Sequence, residues 1–340
     1  MKQRIEYIDL AKGICILLVI VDHISIRNLF GVPKYPGWEM FIQMRMPLYF
    51  ILSGLFFKDY AGGVAEFVLR KFNRILIPFL FFAPLLIGFS AAVLALTGYN
   101  LGRLWSPEWF LVCLFEMNLL FITCYTLTNR YFQRPLIRDI VLMVLVFVVG
   151  TIGYNVCLIP WYFGTAMTCL PFLWIGYVLN RRISFFQWKI KWWVSLILGI
   201  VMIGALHFTF TGPLLFYRNG YYIPLPQIYA TGTMGTIGVL LLARVFKHIP
   251  VLSYIGRYSI IVLIMHLVFV NSFRPLLKAL HIFAPWSGIV DLILCVACCV
   301  PTCWLFKKYI PWFCAQKDLV PLEWLDVVKN YINERKNRVH

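Results

Sequence analysis

Asp22 and His23 stand side by side in LLVIVDHISIR, residues 17–27, where they interrupt a segment otherwise suited to lipid. An ionisable group at membrane depth costs roughly 3 kcal/mol on insertion scales, so each one needs a partner or a task. At about 100° per residue, His23 lies about 20° round from Lys12 and about 40° from Asp9, so the three share one stripe of a helix. Such a stripe faces protein or water. With about 1.5 Å of rise per residue, His23 sits roughly 16 Å beyond Lys12. A buried imidazole can take a proton near neutral pH, and a neighbouring carboxylate can fix its tautomer. Asp22 is about 100° away. It is therefore either a partner of His23 through a bent geometry or the outer polar boundary of the helix.

Three further stretches carry chemistry. In FVLRKFNRILIPF, residues 67–79, Arg70 and Arg74 lie one turn apart with Lys71 between them and Pro78 just beyond. The cluster either anchors the chain at the membrane surface or binds phosphates. In WFLVCLFEMNLLF, residues 109–121, Glu116 shares a face with Trp109; a carboxylate there needs a cation, a proton or a water-filled cavity, unless it serves a helix–helix bond. In IGRYSIIVLIMH, residues 255–266, Ser259 and His266 lie two turns apart on one face, and His266 is open to a structural or a functional role. His207 reads as interfacial. Cys295, Cys298, Cys299 and Cys303 gather on one side of the last apolar run, with no histidine close in sequence, and read as small buried apolar residues rather than as a metal site.

The elements that must position these groups follow from composition. The 340 residues are 61% hydrophobic and only 13% charged, against roughly a quarter charged in soluble domains. About ten apolar runs, each near the ~20 residues a membrane-crossing helix needs, recur along the chain. They lie near residues 8–29, 41–57, 75–96, 109–127, 140–154, 159–179, 192–210, 228–245, 258–277 and 289–306. Lipid offers backbone amides no partners, and no period-two alternation of a barrel is present, so the expected fold is an all-α polytopic membrane protein. The first run carries Asp9 and Lys12 near its start and lacks a small-residue cleavage site, so it is expected to stay as helix one rather than be removed as a signal peptide.

The net charge of +17 is one-sided. With the N-terminus inside, the N-terminal segment, alternate loops and the tail hold about 24 of the 31 Lys and Arg, which predicts an even helix count and both termini cytoplasmic. No phosphate-binding glycine loop or nucleic-acid module stands in the loops, so the charge is read as topology and no nucleic-acid partner is expected. No linker exceeds about a dozen residues. One transmembrane domain over residues 1–310 is expected, followed by a cytoplasmic tail over 311–340. Leu319, Leu322, Leu325, Val328 and Ile332 recur there at helical spacing, which predicts an interfacial amphipathic helix.

These segments, in this order, resemble the integral-membrane acyltransferase family three, with the sugar O-acetyltransferase, fucose 4-O-acetylase-like branch the most similar. YIDLAKGICILLVIVDH, residues 7–23, is similar to the family's helix-one pattern, with Asp9, Lys12 and His23 in its order and spacing; many members have Arg where this chain has Lys12. MPLYFILSGLFF resembles the second-helix motif ending in Ser53 and Gly54, RKFNRILIPF the basic Arg-Ile-Pro motif, WFLVCLFE the fourth-helix motif with a different tryptophan-to-glutamate spacing, and GRYSIIVLIMH the late Ser-to-His motif.

The resemblance implies a multi-pass O-acyltransferase of a bacterial cytoplasmic membrane that moves an acetyl group from acetyl-CoA to a sugar hydroxyl of an envelope polysaccharide, oligosaccharide or lipid-linked glycan. Its partners would be acetyl-CoA as co-substrate, the glycan acceptor and the lipid bilayer, with no bound cofactor or metal and with homo-oligomerisation left open. The catalytic set would be His23, Asp22 and Glu116; the donor-binding set Lys12, Arg70, Lys71 and Arg74; the supporting set Asp9, Ser53, Ser259 and His266. His23 would act as general base or carry the acyl group transiently. The runner-up reading is a transporter or flippase of a lipid-linked glycan, against which no obvious inverted repeat is visible. A glycan polymerase ranks below both, because the outer loops are short.

Overall fold

The computed structural model describes residues 5–24, 39–60, 62–102, 104, 109–156, 161–209, 214–215, 220–221 and 223–325. Eleven helices account for almost all of them: α1 (Glu6–Ile24), α2 (Glu39–Leu55), α3 (Gly63–Thr97), α4 (Trp109–Tyr131), α5 (Pro135–Asn155), α6 (Phe163–Arg181), α7 (Trp192–Thr209), α8 (Leu225–Phe246), α9 (Pro250–Arg257), α10 (Ser259–Ala279) and α11 (Trp286–Tyr309). The remaining regular structure among the described residues is a short 3₁₀ turn at Phe185–Gln187 and a two-residue antiparallel ladder between Leu214–Leu215 and Gly220–Tyr221.

Eight helices, α3 to α8, α10 and α11, are long and apolar enough to cross a membrane. The chain is thus an all-α polytopic membrane protein. The other two runs expected as spans are helices too, but α2 has 17 residues and α1 carries Glu6, Asp9, Lys12 and Asp22. That charge is tolerated because α1 is inside the bundle, packed against α2, α8, α9, α10 and α11. The outer helices show the opposite pattern: α5, α7 and α11 expose Ile, Leu, Val and Trp along most of their length, as lipid-facing helices do.

Two crossings fix the inner helices at backbone contact distance. At the first, α1 meets α9: a Cβ on Gly13 would lie 1.9 Å from the Leu252 carbonyl oxygen, and one on Gly256 would lie 1.9 Å from that of Asp9. At the second, α2 meets α6 through Gly54 and Gly176, whose added Cβ atoms would lie 1.8 Å from Leu173 O and 1.9 Å from Ile51 O. Small residues at such positions are how membrane helices approach closely enough for dispersion forces to hold them. Gly54, the second residue of the Ser-Gly motif, is therefore explained by packing.

The sequence did not reveal α9, whose eight residues are too short to register as a span. It also placed the third span's start at Ile75, whereas α3 begins at Gly63 and runs through a π-helical turn at Phe72–Leu76. Pro78 lacks the N–H that would bond one turn back, and the widened turn just before it absorbs that interruption. The basic cluster thus sits on a continuous helix.

After Tyr309 the chain forms successive turns over residues 310–323, so the expected amphipathic helix does not begin at Leu319; helical geometry starts at Trp324 and Leu325, where the described residues end. The reason is tertiary: Phe313 stacks on Phe81 at 3.8 Å, and Cys314 is buried against the bundle. Leu319 and Leu322 accordingly lie in turns, while Val328 and Ile332 fall outside the described residues.

Candidate functional site

A cavity of about 610 Å³ opens between α1, α2, α3, α4, α9 and α10. Helix α1 lines it with Lys12, Ile16 and Val19, successive members of one helical stripe. The next member is His23. Helix α10 lines it with Ser259, Ile260 and Leu263, and His266 lies about one turn further along. The two stripes converge, and the rings of His23 and His266 sit 5.0 Å apart at an interplanar angle of 50°. The cavity wall thus leads along two helices toward a pair of imidazoles.

His266 is fully buried, its Nδ1 is 3.0 Å from the Val262 carbonyl oxygen, and its Nε2 has no hydrogen-bond partner among the described residues. Because a carbonyl only accepts, Nδ1 carries the proton in this arrangement and Nε2 is the free position. His23 is half-buried, and its backbone carbonyl accepts a hydrogen bond from Arg274. Asp22, adjacent in sequence, turns to α2, where Arg45 Nη1 holds its carboxylate at 2.9 Å. Its charge is therefore anchored by a cation that the sequence reading passed over, although Arg45 is itself an intramembrane charge and open to the same argument as His23.

At the opposite end the cavity is basic. Among the described residues Lys12, Lys58, Arg70, Lys71, Arg74 and Arg257 line it, and no carboxylate does. All six lie near helix ends on one side of the bundle: the start of α1, the end of α2, the start of α3 and the α9–α10 junction. Arg70 is braced by Glu66 at 2.7 Å and lies over the Tyr60 ring at 4.8 Å, while Lys71 lies 5.3 Å from the Phe67 ring. Arg74 is half-exposed and bonded to Asp318. Lys58 and Arg257 were not singled out in the sequence, though Arg257 stands within the quoted GRYSIIVLIMH stretch.

The middle of the cavity is aromatic and aliphatic with a few hydroxyls. Tyr49 donates to the Lys12 carbonyl oxygen at 3.1 Å. Ser53 donates to Asn118 Oδ1 at 3.1 Å, and Asn118 in turn donates to the Leu114 carbonyl oxygen. These bonds tie α1 to α2 and α2 to α4 around the space without closing it.

Glu116 does not join this group. Phe110, Leu111 and Leu114 are the α4 residues that line the cavity, and Glu116 projects from the opposite face of that helix, half-buried and with Oε2 lacking a protein partner. Asp9 is buried where α1 crosses α9 and outside the cavity lining. Asp291, buried in α11 with Oδ1 lacking a protein partner, is a further intramembrane acid that the sequence reading did not raise.

A space with a cationic mouth and an apolar middle, whose wall stripes run on beyond the last lining residues Val19 and Leu263 to His23 and His266, suits a ligand with a polyanionic head and a slender reactive tail. Comparison with known proteins gives one match: a family model described as an acyltransferase domain covers residues 5–308. No curated protein and no solved structure matches the chain significantly.

Proposed function

We propose, from the premise that the chain belongs to acyltransferase family three, that this multi-pass membrane enzyme transfers an acetyl group from acetyl-CoA to a sugar hydroxyl of an envelope polysaccharide, oligosaccharide or lipid-linked glycan. In this reading it resides in a bacterial cytoplasmic membrane with the basic mouth of the cavity on the cytoplasmic side, where the donor is made. The observation that carries the proposal is the cavity itself: six cations at one end, and two wall stripes that run on to His23 and His266 at the other.

The phosphates of the donor would meet Arg70, Lys71, Arg74 and Lys58, with Lys12 deeper, and the pantetheine arm would lie along Tyr49, Leu52, Phe110 and Leu263. The thioester carbonyl would then stand near His23, roughly 16 Å beyond Lys12 along the axis of α1. His23 takes the proton of the acceptor hydroxyl as its oxygen attacks the thioester carbonyl. The C–O bond forms, the C–S bond breaks, and CoA leaves as its thiol with the proton that His23 returns. Alternatively the imidazole attacks first: the C–N bond forms as the C–S bond breaks and CoA leaves as its thiol with the imidazole N–H proton; the hydroxyl oxygen then attacks, the C–O bond forms as the C–N bond breaks, and the hydroxyl proton returns to the imidazole. Asp22, held by Arg45, keeps a negative charge beside the histidine in either route. Glu116 has no part in it, because it faces away from the cavity.

The test follows label from [acetyl-14C]acetyl-CoA into glycan in membranes that carry the wild-type chain or His23→Ala at matched expression. Label above empty membranes that His23→Ala abolishes is the expected result. Full transfer by His23→Ala overturns the assignment of the base. Glycan translocation without any dependence on acyl-CoA would restore the transporter reading, which the family match does not favour.

A further inference from the structure

The family match ends at Lys308, yet two residues that line the basic mouth, Ala315 and Gln316, lie beyond it. After α11 the chain turns back over the first half of α3 as a strap, and three sets of contacts hold it there. Asn73, fully buried in the π-turn, accepts from the backbone N–H groups of Leu319 at 3.0 Å and Val320 at 2.9 Å, and donates to the Val320 carbonyl oxygen at 2.9 Å. Phe313 stacks on Phe81. Arg74 donates from Nε to Asp318 Oδ1 at 2.9 Å and from Nη1 to the Ala315 carbonyl oxygen at 3.2 Å.

The contacts differ in kind. Those of Asn73 and Phe313 face α3 and fix the strap. That of Asp318 engages a cation that also lines the cavity, so its carboxylate takes the Arg74 Nε–H and pairs with the charge that a phosphate would use. Carboxylate and phosphate oxygens both accept from arginine, and the Nε–H that Asp318 holds is not available to a phosphate at the same time.

We propose that Asp318 is an internal competitor for Arg74, a latch that the phosphates of an acyl-CoA must displace. This rests on the reading of the cavity as the donor site. Donor and product carry identical phosphates, so a carboxylate that returns to Arg74 weakens the hold on CoA after transfer and favours its release. The strap is thereby a determinant of donor affinity that lies outside the segment shared with the family.

The latch is tested by equilibrium binding of radiolabelled acetyl-CoA to the full chain in nanodiscs, for wild type, Asp318→Asn, Arg74→Ala and the double variant. Acetyl-pantetheine, which lacks the phosphates, serves as the second probe. Asp318→Asn is expected to bind acetyl-CoA about two- to fivefold more tightly than wild type, the range a partly exposed ion pair allows, with acetyl-pantetheine unaffected. Arg74→Ala is expected to bind about tenfold more weakly, and adding Asp318→Asn to it should change nothing further. Saturable wild-type binding that Asp318→Asn leaves equal or weakens overturns the latch while the donor site stands. A gain for acetyl-pantetheine equal to that for acetyl-CoA also overturns it, since the effect would then come from a loosened strap. No saturable binding of acetyl-CoA to any of the four proteins overturns the donor reading and the latch together.

Discussion

His23 and His266 come from helices more than 240 residues apart in the chain, and their rings stand 5.0 Å from each other where the cavity-lining stripes of α1 and α10 meet. The two are not equivalent. His266 has Nδ1 committed to its own helix and is fully buried, while His23 is half-buried and adjoins the Asp22–Arg45 pair. Removing a general base typically costs ~10²–10⁴-fold in rate. His23→Ala should therefore lose at least about a hundredfold in transfer, and His266→Ala a smaller factor. Single-turnover assays on purified protein measure both; equal losses would make the pair one functional unit.

The Asp22–Arg45 pair predicts a coupled effect. Arg45→Met leaves Asp22 without its cation beside the histidine, and Asp22→Asn leaves Arg45 with its charge buried. Each single change is expected to destabilise by an amount between the ~1 kcal/mol of exposed pairs and the ~3–5 kcal/mol of buried ones, because Asp22 retains 35% side-chain exposure. The double variant should cost less than the sum. Chemical denaturation in detergent gives the three values, and strict additivity would show that the pair carries no coupling energy.

Of the four residues behind these effects, His23, His266 and Asp22 stood out in the sequence and Arg45 did not. Helical periodicity put Asp9, Lys12 and His23 on one stripe; in the structure Lys12 lines the cavity and His23 lies one turn past Val19, the last cavity-lining residue of that helix. It could not say which side of α4 turns inward, because an apolar helix surrounded by apolar neighbours carries no moment to orient it; Glu116 was drawn to the site by its charge and lies on the far face. Arg45, one residue before the MPLYFILSGLFF motif, and Asp291, near no motif, carry the same cost of intramembrane charge as His23. The strap was hidden for another reason: Leu319 and Leu322 have helical spacing, but the contacts of Asn73 and Phe81 outweigh local propensity there.

Glu116 supplies a prediction that separates the two readings. If its orientation away from the cavity governs, Glu116→Gln should retain at least about a third of wild-type kcat, a barrier change below ~0.7 kcal/mol. A loss of a hundredfold or more with unchanged protein yield would return Glu116 to the catalytic set and require α4 to rotate in the working enzyme. Initial rates at saturating donor decide it.

The close crossing of α2 and α6 makes the sharpest structural prediction. A methyl group on Gly54 or Gly176 would sit within 2 Å of a carbonyl oxygen on the facing helix, so the helices must separate rather than a side chain move aside. Overpacking of this kind costs at least ~1–3 kcal/mol, and backbone offers less relief than a side chain does. Gly54→Ala and Gly176→Ala should each lower the thermal midpoint of the detergent-purified protein and the yield of monodisperse material. Ser53→Ala, one residue away, removes a single hydrogen bond to Asn118 and should cost only ~1 kcal/mol. Because Ser53 lines the cavity and Gly54 does not, the two neighbours should also part in kind: Ser53→Ala acts on donor KM at nearly wild-type stability, whereas Gly54→Ala acts on the amount of folded enzyme with the KM of the surviving fraction unchanged. A Gly54→Ala protein as stable as wild type would mean that α2 and α6 stand further apart than the backbone contact described above.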